Sequence, residues 1–408
     1  MKLKFKPIHL ALIFGISTAY ADPSSAVDQL QTQINALQAQ INQLDQVHQN
    51  ALSNVIGLDT ADPFGTLSKV NMPLQLLKNR SQNSAALTLG GQIETDLQYW
   101  NGDSIHTHPT TQYEQGSSVA LTKLYLFTEA NFGQDALGFI SLKNGSNNSV
   151  AVDRAFLMLG NLNGSIPLFV TAGSTYLPFG MMSGNGPLNN TLITNVYRVS
   201  PTNQVSGNAI LGPLTFIASA YNNQSSVNNG VDGLFTLEFA KNINAFHTNF
   251  GASYLSNMVG TASGLGAAFS QGAAHNPAWD ANFNVGLKTI ALLGEYASTV
   301  HGATIDNQNT SLLSSWMLGI SGQFSLLNSP YSWQLSDSGT HNMAHVAMPL
   351  DGNYQEGLKT LTGFNHQWIG SIQGEYWKNV YMGPELTYGA LYNGQDTYTA
   401  TFDATAYF

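Results

Sequence analysis

Residues 398–408 read Tyr-Thr-Ala-Thr-Phe-Asp-Ala-Thr-Ala-Tyr-Phe. Tyr398, Ala400, Phe402, Ala404, Ala406 and Phe408 fall on one face of an extended chain; Thr399, Thr401, Asp403, Thr405 and Tyr407 fall on the other. Side chains of a strand alternate between its faces, so this segment is a strand with one apolar and one polar side. Apolar outside against lipid and polar inside against water is the pattern of a transmembrane β-barrel. Residues 87–100 repeat it, with Leu87, Leu89, Gly91, Ile93, Leu97 and Tyr99 alternating with Thr88, Gln92, Glu94, Asp96 and Gln98. An open sheet edge is not tolerated in lipid, so the two segments are expected to pair and close the barrel.

The same period runs between them. Leu124, Leu126, Ala130 and Phe132 oppose Lys123, Glu129 and Asn131. The short link Gly133-Gln134-Asp135 follows, while residues 101–117 read as a long polar loop. Short turns on one side and long loops on the other are the asymmetry of an outer-membrane barrel. Further strands are expected near 136–143, 150–160, 166–175, 203–211, 213–222, 231–240, 244–256, 278–288, 290–300, 311–324 and 380–392. Residues 325–378 show no clear period. The fold class is an all-β transmembrane barrel of about sixteen antiparallel strands over residues 86–408, the number being even because both ends return to one side.

Composition agrees. Charged residues make up 9% of the chain, against roughly 25% in soluble domains. Nowhere do about 18 consecutive apolar residues occur, so transmembrane helices are not expected. Cysteine is absent, which excludes disulfides and thiolate metal sites. The formal charge is −10, an acidic balance that argues against nucleic-acid partners.

The start of the chain reads as an export signal over residues 1–21. Lys2, Lys4 and Lys6 precede the apolar run Ile8–Ile16, and Ala19-Tyr20-Ala21 supplies small residues for cleavage before Asp22. Without those three lysines the balance is 11 basic against 24 acidic residues, or −13. Residues 22–50 carry Val27, Leu30, Ile34, Leu37, Ile41 and Leu44 at alternating steps of three and four, the seam of a coiled coil. Two readings stand: self-association into a dimer or trimer, or one amphipathic helix against the periplasmic mouth. Residues 51–85, broken at Pro63 and Pro73, form a linker.

The segments DRAFLMLGNL (153–162) and PLFVTAGSTYLPFG (167–180) resemble the part of nutrient-specific porins where a strand reaches the narrowing of the pore. With the N-terminal helix and the terminal Phe408, the chain resembles the LbtU-like siderophore porin family of Legionella-type outer-membrane porins. That resemblance implies inward passage of an iron chelate, or a similar small solute, without a plug domain. It also implies that residues 176–202, which include Tyr176, Pro178, Phe179 and Gly180, fold inward as a constriction loop; an ordinary surface loop is the other reading.

Arg198 is the one arginine of that loop, and a guanidinium there could hold a carboxylate or phosphate. Lys123, Glu129, Lys143, Lys288 and Glu295 lie within strand patterns and are expected on the lumen wall, since a lysine facing lipid at midplane costs about 2–4 kcal/mol. Arg154 follows Asp153 directly, so the two are expected on opposite faces. Paired histidines at 106 and 108 and at 341 and 345 read as loop residues, and no metal site, cofactor or catalytic set is found. Outer-membrane lipid and lipopolysaccharide are the expected surroundings, with the helix in the periplasm. A barrel that anchors loops 101–117, 257–277 and 337–353 for adhesion is the alternative function.

Overall fold

A computed structural model describes Pro73, Leu76 and residues 86–408, apart from breaks at 108–110, 134, 145–149, 162–165, 224–229, 244–245, 270–272, 288, 306–307, 327–328, 347, 349–358 and 361. The export signal, the heptad residues Leu30, Ile34, Leu37, Ile41 and Leu44, most of the linker, and Lys288 lie outside the described residues.

The strands are β1 (Ala86–Thr107), β2 (Thr111–Asn131), β3 (Ala136–Asn144), β4 (Val150–Asn161), β5 (Leu168–Thr175), β6 (Thr202–Leu211), β7 (Leu214–Asn222), β8 (Val231–Ile243) and β9 (Phe246–Leu255). They continue as β10 (Ala278–Leu287), β11 (Ile290–Ile305), β12 (Gln308–Leu326), β13 (Ser329–His341), β14 (Lys359–Thr360), β15 (Phe364–Trp377), β16 (Val380–Leu391) and β17 (Asp396–Tyr407). Sixteen of them form the closed wall; β14 pairs only with the tip of β1, and β13 pairs directly with β15. Every pairing is antiparallel, and β1 closes on β17 from Gln92↔Tyr407 to Gly102↔Thr397. The Phe408 amide and carbonyl continue that ladder to Gly91 at 3.1 and 2.9 Å.

Alternation sorts the two faces as the sequence predicts. Leu87, Leu89, Leu97, Leu386 and Phe402 are exposed on the outside, while Gln92, Gln98, Thr397 and Thr405 are buried inside. An apolar belt outside and satisfied backbone throughout is the arrangement a bilayer requires.

Three expectations need correction. Residues 101–107 and 111–117 are not loop: β1 and β2 extend through them, because Thr, Ser, Tyr and Gln there suit a strand as well as a loop. Residues 325–378, which showed no period, contain β13 and β15. Finally, two of the three supposed surface loops turn into the barrel. Residues 257–277 carry helix α2 (Gly264–Ala268), with Met258 and Leu265 buried, and Met343, Val346 and Met348 of the late loop are buried too.

The interior is layered. One apolar cluster gathers Leu234, Leu255, Leu293, Leu313, Met317 and Phe364 with those inward loops. A second lies near the short-turn end, where Leu137, Phe139, Phe156, Met158 and Phe169 face inward and Leu76 packs among them. Phe139 and Phe156 meet ring to ring at 5.2 Å.

Candidate functional site

Residues 176–201 leave β5 and run inside the barrel. Thr236 Oγ1 of β8 donates to the Pro178 carbonyl, and the Gly180 amide donates to Ser253 Oγ of β9 at 3.3 Å. The amides of Met181 and Met182 then donate to Glu295 Oε1 of β11 at 2.5 and 2.9 Å. Further on, the amides of Leu188 and Asn189 reach Glu385 of β16 at 3.0 and 3.1 Å, and Asn189 Nδ2 donates to the same carboxylate at 2.5 Å. At the tip, Lys123 Nζ of β2 donates to the Pro187 carbonyl at 3.1 Å. The chain returns as helix α1 (Leu192–Tyr197), with its first amide on Ser338 Oγ of β13 and the Tyr197 hydroxyl on the Leu313 carbonyl at 2.5 Å.

The local sequence makes this course possible. An ionised carboxylate accepts several N–H bonds at once, so one glutamate can hold a turn of backbone that has no ladder of its own. The backbone must come close for that. Gly180 has φ +75°, and a Cβ there would lie 2.5 Å from Glu295 Oε1; a Cβ on Gly186 would lie 2.0 Å from Glu385 Oε2. Leu192, Ile193, Val196 and Tyr197 are fully buried in the apolar cluster, which fixes the returning helix.

The wall from β3 to β5 has different chemistry. Pairing of β3 with β4 shifts register between Ser141 and Leu142, a bulge at Asp153. A bulge places two successive residues against one, so both can face the same side. Asp153 and Arg154 are accordingly both buried inside, which corrects the expectation of opposite faces. Asp153 bridges Lys143 Nζ and Arg154 Nε, each at 2.9 Å. Two guanidinium groups approach the Tyr176 ring, Arg154 at 5.7 Å and Arg198 at 5.9 Å from its centre. Arg198 also reaches Asn190 Oδ1 at 3.4 Å and makes no ion pair among the described residues. The Lys143 side chain is 36% exposed, so this patch has an accessible face.

Of the residues singled out from sequence, Tyr176 and Arg198 come together here, joined by Lys143 and Arg154. Pro178, Phe179 and Gly180 belong to the inward segment, where Phe179 is buried with its ring 6.3 Å from Tyr197. Glu129 faces inward on β2 and is buried. Glu295 and Lys123 also face inward, but as anchors of the segment: Glu295 is occupied by backbone amides, and Lys123 pairs with Glu94 at 2.7 Å besides holding Pro187. Sequence reasoning did not single out Glu385. Its signal was available in the outward, inward, outward order of Pro384, Glu385 and Leu386, a carboxylate on a wall strand with no nearby base in sequence.

Residues 59–277, more than half of the chain, match the family described as protein of unknown function (DUF3573). The chain belongs to that family. No curated protein matches this member of it. Among solved structures, the barrel is similar to the outer-membrane channel DcaP of Acinetobacter baumannii, with a TM-score of 0.53 and 14% identity over 81% of this chain and 99% of that one. It is equally similar to an anion-selective porin from Comamonas acidovorans, with a TM-score of 0.52 and 14% identity over 80% and 100%. A loop-deletion mutant of the outer-membrane protein OmpT of Vibrio cholerae gives 0.52 at 9% identity over 80% and 100%. This DUF3573 member has the fold of an outer-membrane porin.

Proposed function

We propose that this protein is a porin-like channel of the outer membrane that passes small anionic solutes along the β3–β5 wall. One observation carries the reading. In a chain of formal charge −10, Lys143, Arg154 and Arg198 converge around Tyr176 with one carboxylate, Asp153, among them. The local balance is positive where the overall balance is negative. A cation fixed beside an aromatic face and away from bulk water attracts an anion more strongly than a surface charge does. The patch lies where the inward segment leaves and rejoins the wall, at Tyr176 and Arg198, which supports a path for solute beside it.

The finer reading is a polycarboxylate iron chelate, supported by the resemblance of the chain as a whole to siderophore porins and by the guanidinium pair, which suits carboxylates. The export signal and the heptads of residues 22–50 add an oligomer whose helices lie in the periplasm. The adhesive alternative has fewer exposed loops to draw on, since Met258 and Leu265 after β9 and Met343 and Val346 after β13 are buried.

Reversal potential across a planar bilayer with a salt gradient tests the channel. The wild type should prefer anions, and Arg198→Ala should move the potential toward cations. The shift should shrink at high salt, where an exposed charge is screened within about 3–10 Å. A cation-selective wild type whose potential is unchanged by Arg198→Ala would reject the reading. Uptake of an iron chelate by cells with and without the protein tests the finer one, and equal uptake removes the siderophore.

A further inference from the structure

The closing seam holds a second group of charges. Its register sets Asp96 of β1 directly opposite Asp403 of β17, with Glu94 one step along the inward row. One oxygen from each of the three carboxylates lies within 4.8 Å of the others. All three are nearly without solvent, at 2% for Glu94, 1% for Asp96 and 0% for Asp403. Like charges directly opposed across a strand pair repel, and burial strengthens the repulsion.

Compensation within the protein is incomplete. Lys123 is bound to Glu94 at 2.7 Å, and Glu94 also accepts from Thr122 at 3.1 Å and Thr405 at 3.2 Å. Asp403 accepts from Gln373 and from Thr405. Asp96 is different: Thr122 and the Asp403 carboxyl lie beside it, but neither of its oxygens accepts a hydrogen bond of normal geometry among the described residues. Thr401, the next inward residue after Asp403 toward the mouth, has a buried hydroxyl without a partner as well. A buried carboxylate with no well-placed donor either carries a proton or lacks a ligand.

We infer that Glu94, Asp96 and Asp403 form a binding site for one divalent cation of the calcium or magnesium class, which locks the β1–β17 seam. The donor set is all oxygen, which favours hard cations over zinc or copper. The spacing fits calcium: with bonds of 2.3–2.6 Å, ligands on opposite sides of the ion lie about 4.6–5.2 Å apart, and adjacent ones lie closer. A divalent ion also balances three carboxylates and one lysine to zero, which one shared proton does not.

The test uses the full chain folded in detergent free of lipopolysaccharide, so that no lipid-borne cation sites remain. After dialysis without chelator, one calcium or magnesium ion per chain should be found by elemental analysis. Chelator should lower the unfolding midpoint of the β-sheet signal, and added Ca²⁺ should restore it. Asp96→Asn should remove that response. Should this variant not fold, Tb³⁺ added to wild-type protein stripped of metal gives the same answer, with luminescence displaced by Ca²⁺. Asp403→Asn should weaken that binding by about tenfold or more, since even outer-shell losses at metal sites reach that size. Two results would overturn the site. One is no retained cation with a midpoint indifferent to chelator and Ca²⁺. The other is a cation response that survives intact in both variants. A midpoint that instead falls as pH rises, with no cation response, would assign the seam to a proton shared by Asp96 and Asp403.

Discussion

Replacing Glu385 by alanine should free the tip of the inward segment while leaving the barrel intact. Glu385 accepts the Leu188 amide, the Asn189 amide and Asn189 Nδ2 at 3.0, 3.1 and 2.5 Å. Hydrogen bonds to a charged group contribute about 1.5–3 kcal/mol each. They share one carboxylate, and the freed amides reach water once the tip lifts, so the sum is not realised in full. We expect about 3–4 kcal/mol, or roughly 10²–10³ in the equilibrium for local opening. The chain contains no cysteine, so Leu188→Cys gives a single thiol at a position 5% exposed. Its maleimide labelling rate follows the open population when opening is fast relative to labelling. Glu385→Ala should accelerate labelling by about 10²–10³-fold, with heat-modifiable gel mobility unchanged and single-channel conductance raised. Glu385→Gln keeps one acceptor oxygen and should fall about halfway on a logarithmic scale. Labelling of the alanine variant at the wild-type rate would refute the idea that this carboxylate holds the segment.

Gly186→Ala would set a Cβ 2.0 Å from Glu385 Oε2 and should destabilise the segment by about 1–3 kcal/mol, read as faster labelling in the same thiol assay; an unchanged rate would show that the contact relaxes freely. Leu76→Ala removes the side chain seated among Phe139, Phe156 and Phe169 and should cost about 2–4 kcal/mol of local packing. Proteolysis ahead of residue 86 should then speed up, and equal cleavage kinetics would detach Leu76 from any packing role. Deleting residues 22–50 should lower the detergent resistance of the oligomer without unfolding the barrel, and an oligomer as resistant as before would reject the heptads as the assembly element.

Sequence alone reveals the wall wherever water lines its inner side. In β17 and the first half of β1, threonine, glutamine and acidic residues mark the inside and leucine or phenylalanine the outside, so period and pairing are both legible. The period fades where the outer row loses its apolar character. In β13 the inner row is polar as elsewhere, with Ser332, Gln334, Ser336 and Ser338 buried, but Asp337 and Gly339 stand in the outer row beside Trp333 and Leu335. In β15 the inward Ile369 interrupts Gln367 and Ser371; together these blur the contrast across residues 325–378. At Asp153 and Arg154 the obstacle is a single bulge: one inserted residue reverses every inference about facing, and nothing in the adjacent letters announces it. The inward segment was legible as a glycine- and proline-rich stretch with one arginine. Its anchors were not, because Glu295 and Glu385 are separated from it by more than a hundred residues and become neighbours only once the wall is closed.

The inward segment touches both ends of the wall. Lys123 holds it from the first hairpin, while Thr387 and Thr399 of the last hairpin accept from Asn189 Nδ2 at 3.1 and 3.4 Å. A cylinder zipped shut beforehand would have to thread this segment, with its compact buried helix, back through its own mouth. The simpler order is the reverse, in which strands wrap around a segment already laid inside, as sheet metal is rolled around a mandrel. In such an order β1 and β17 meet last, and the segment supplies the diameter at which they meet.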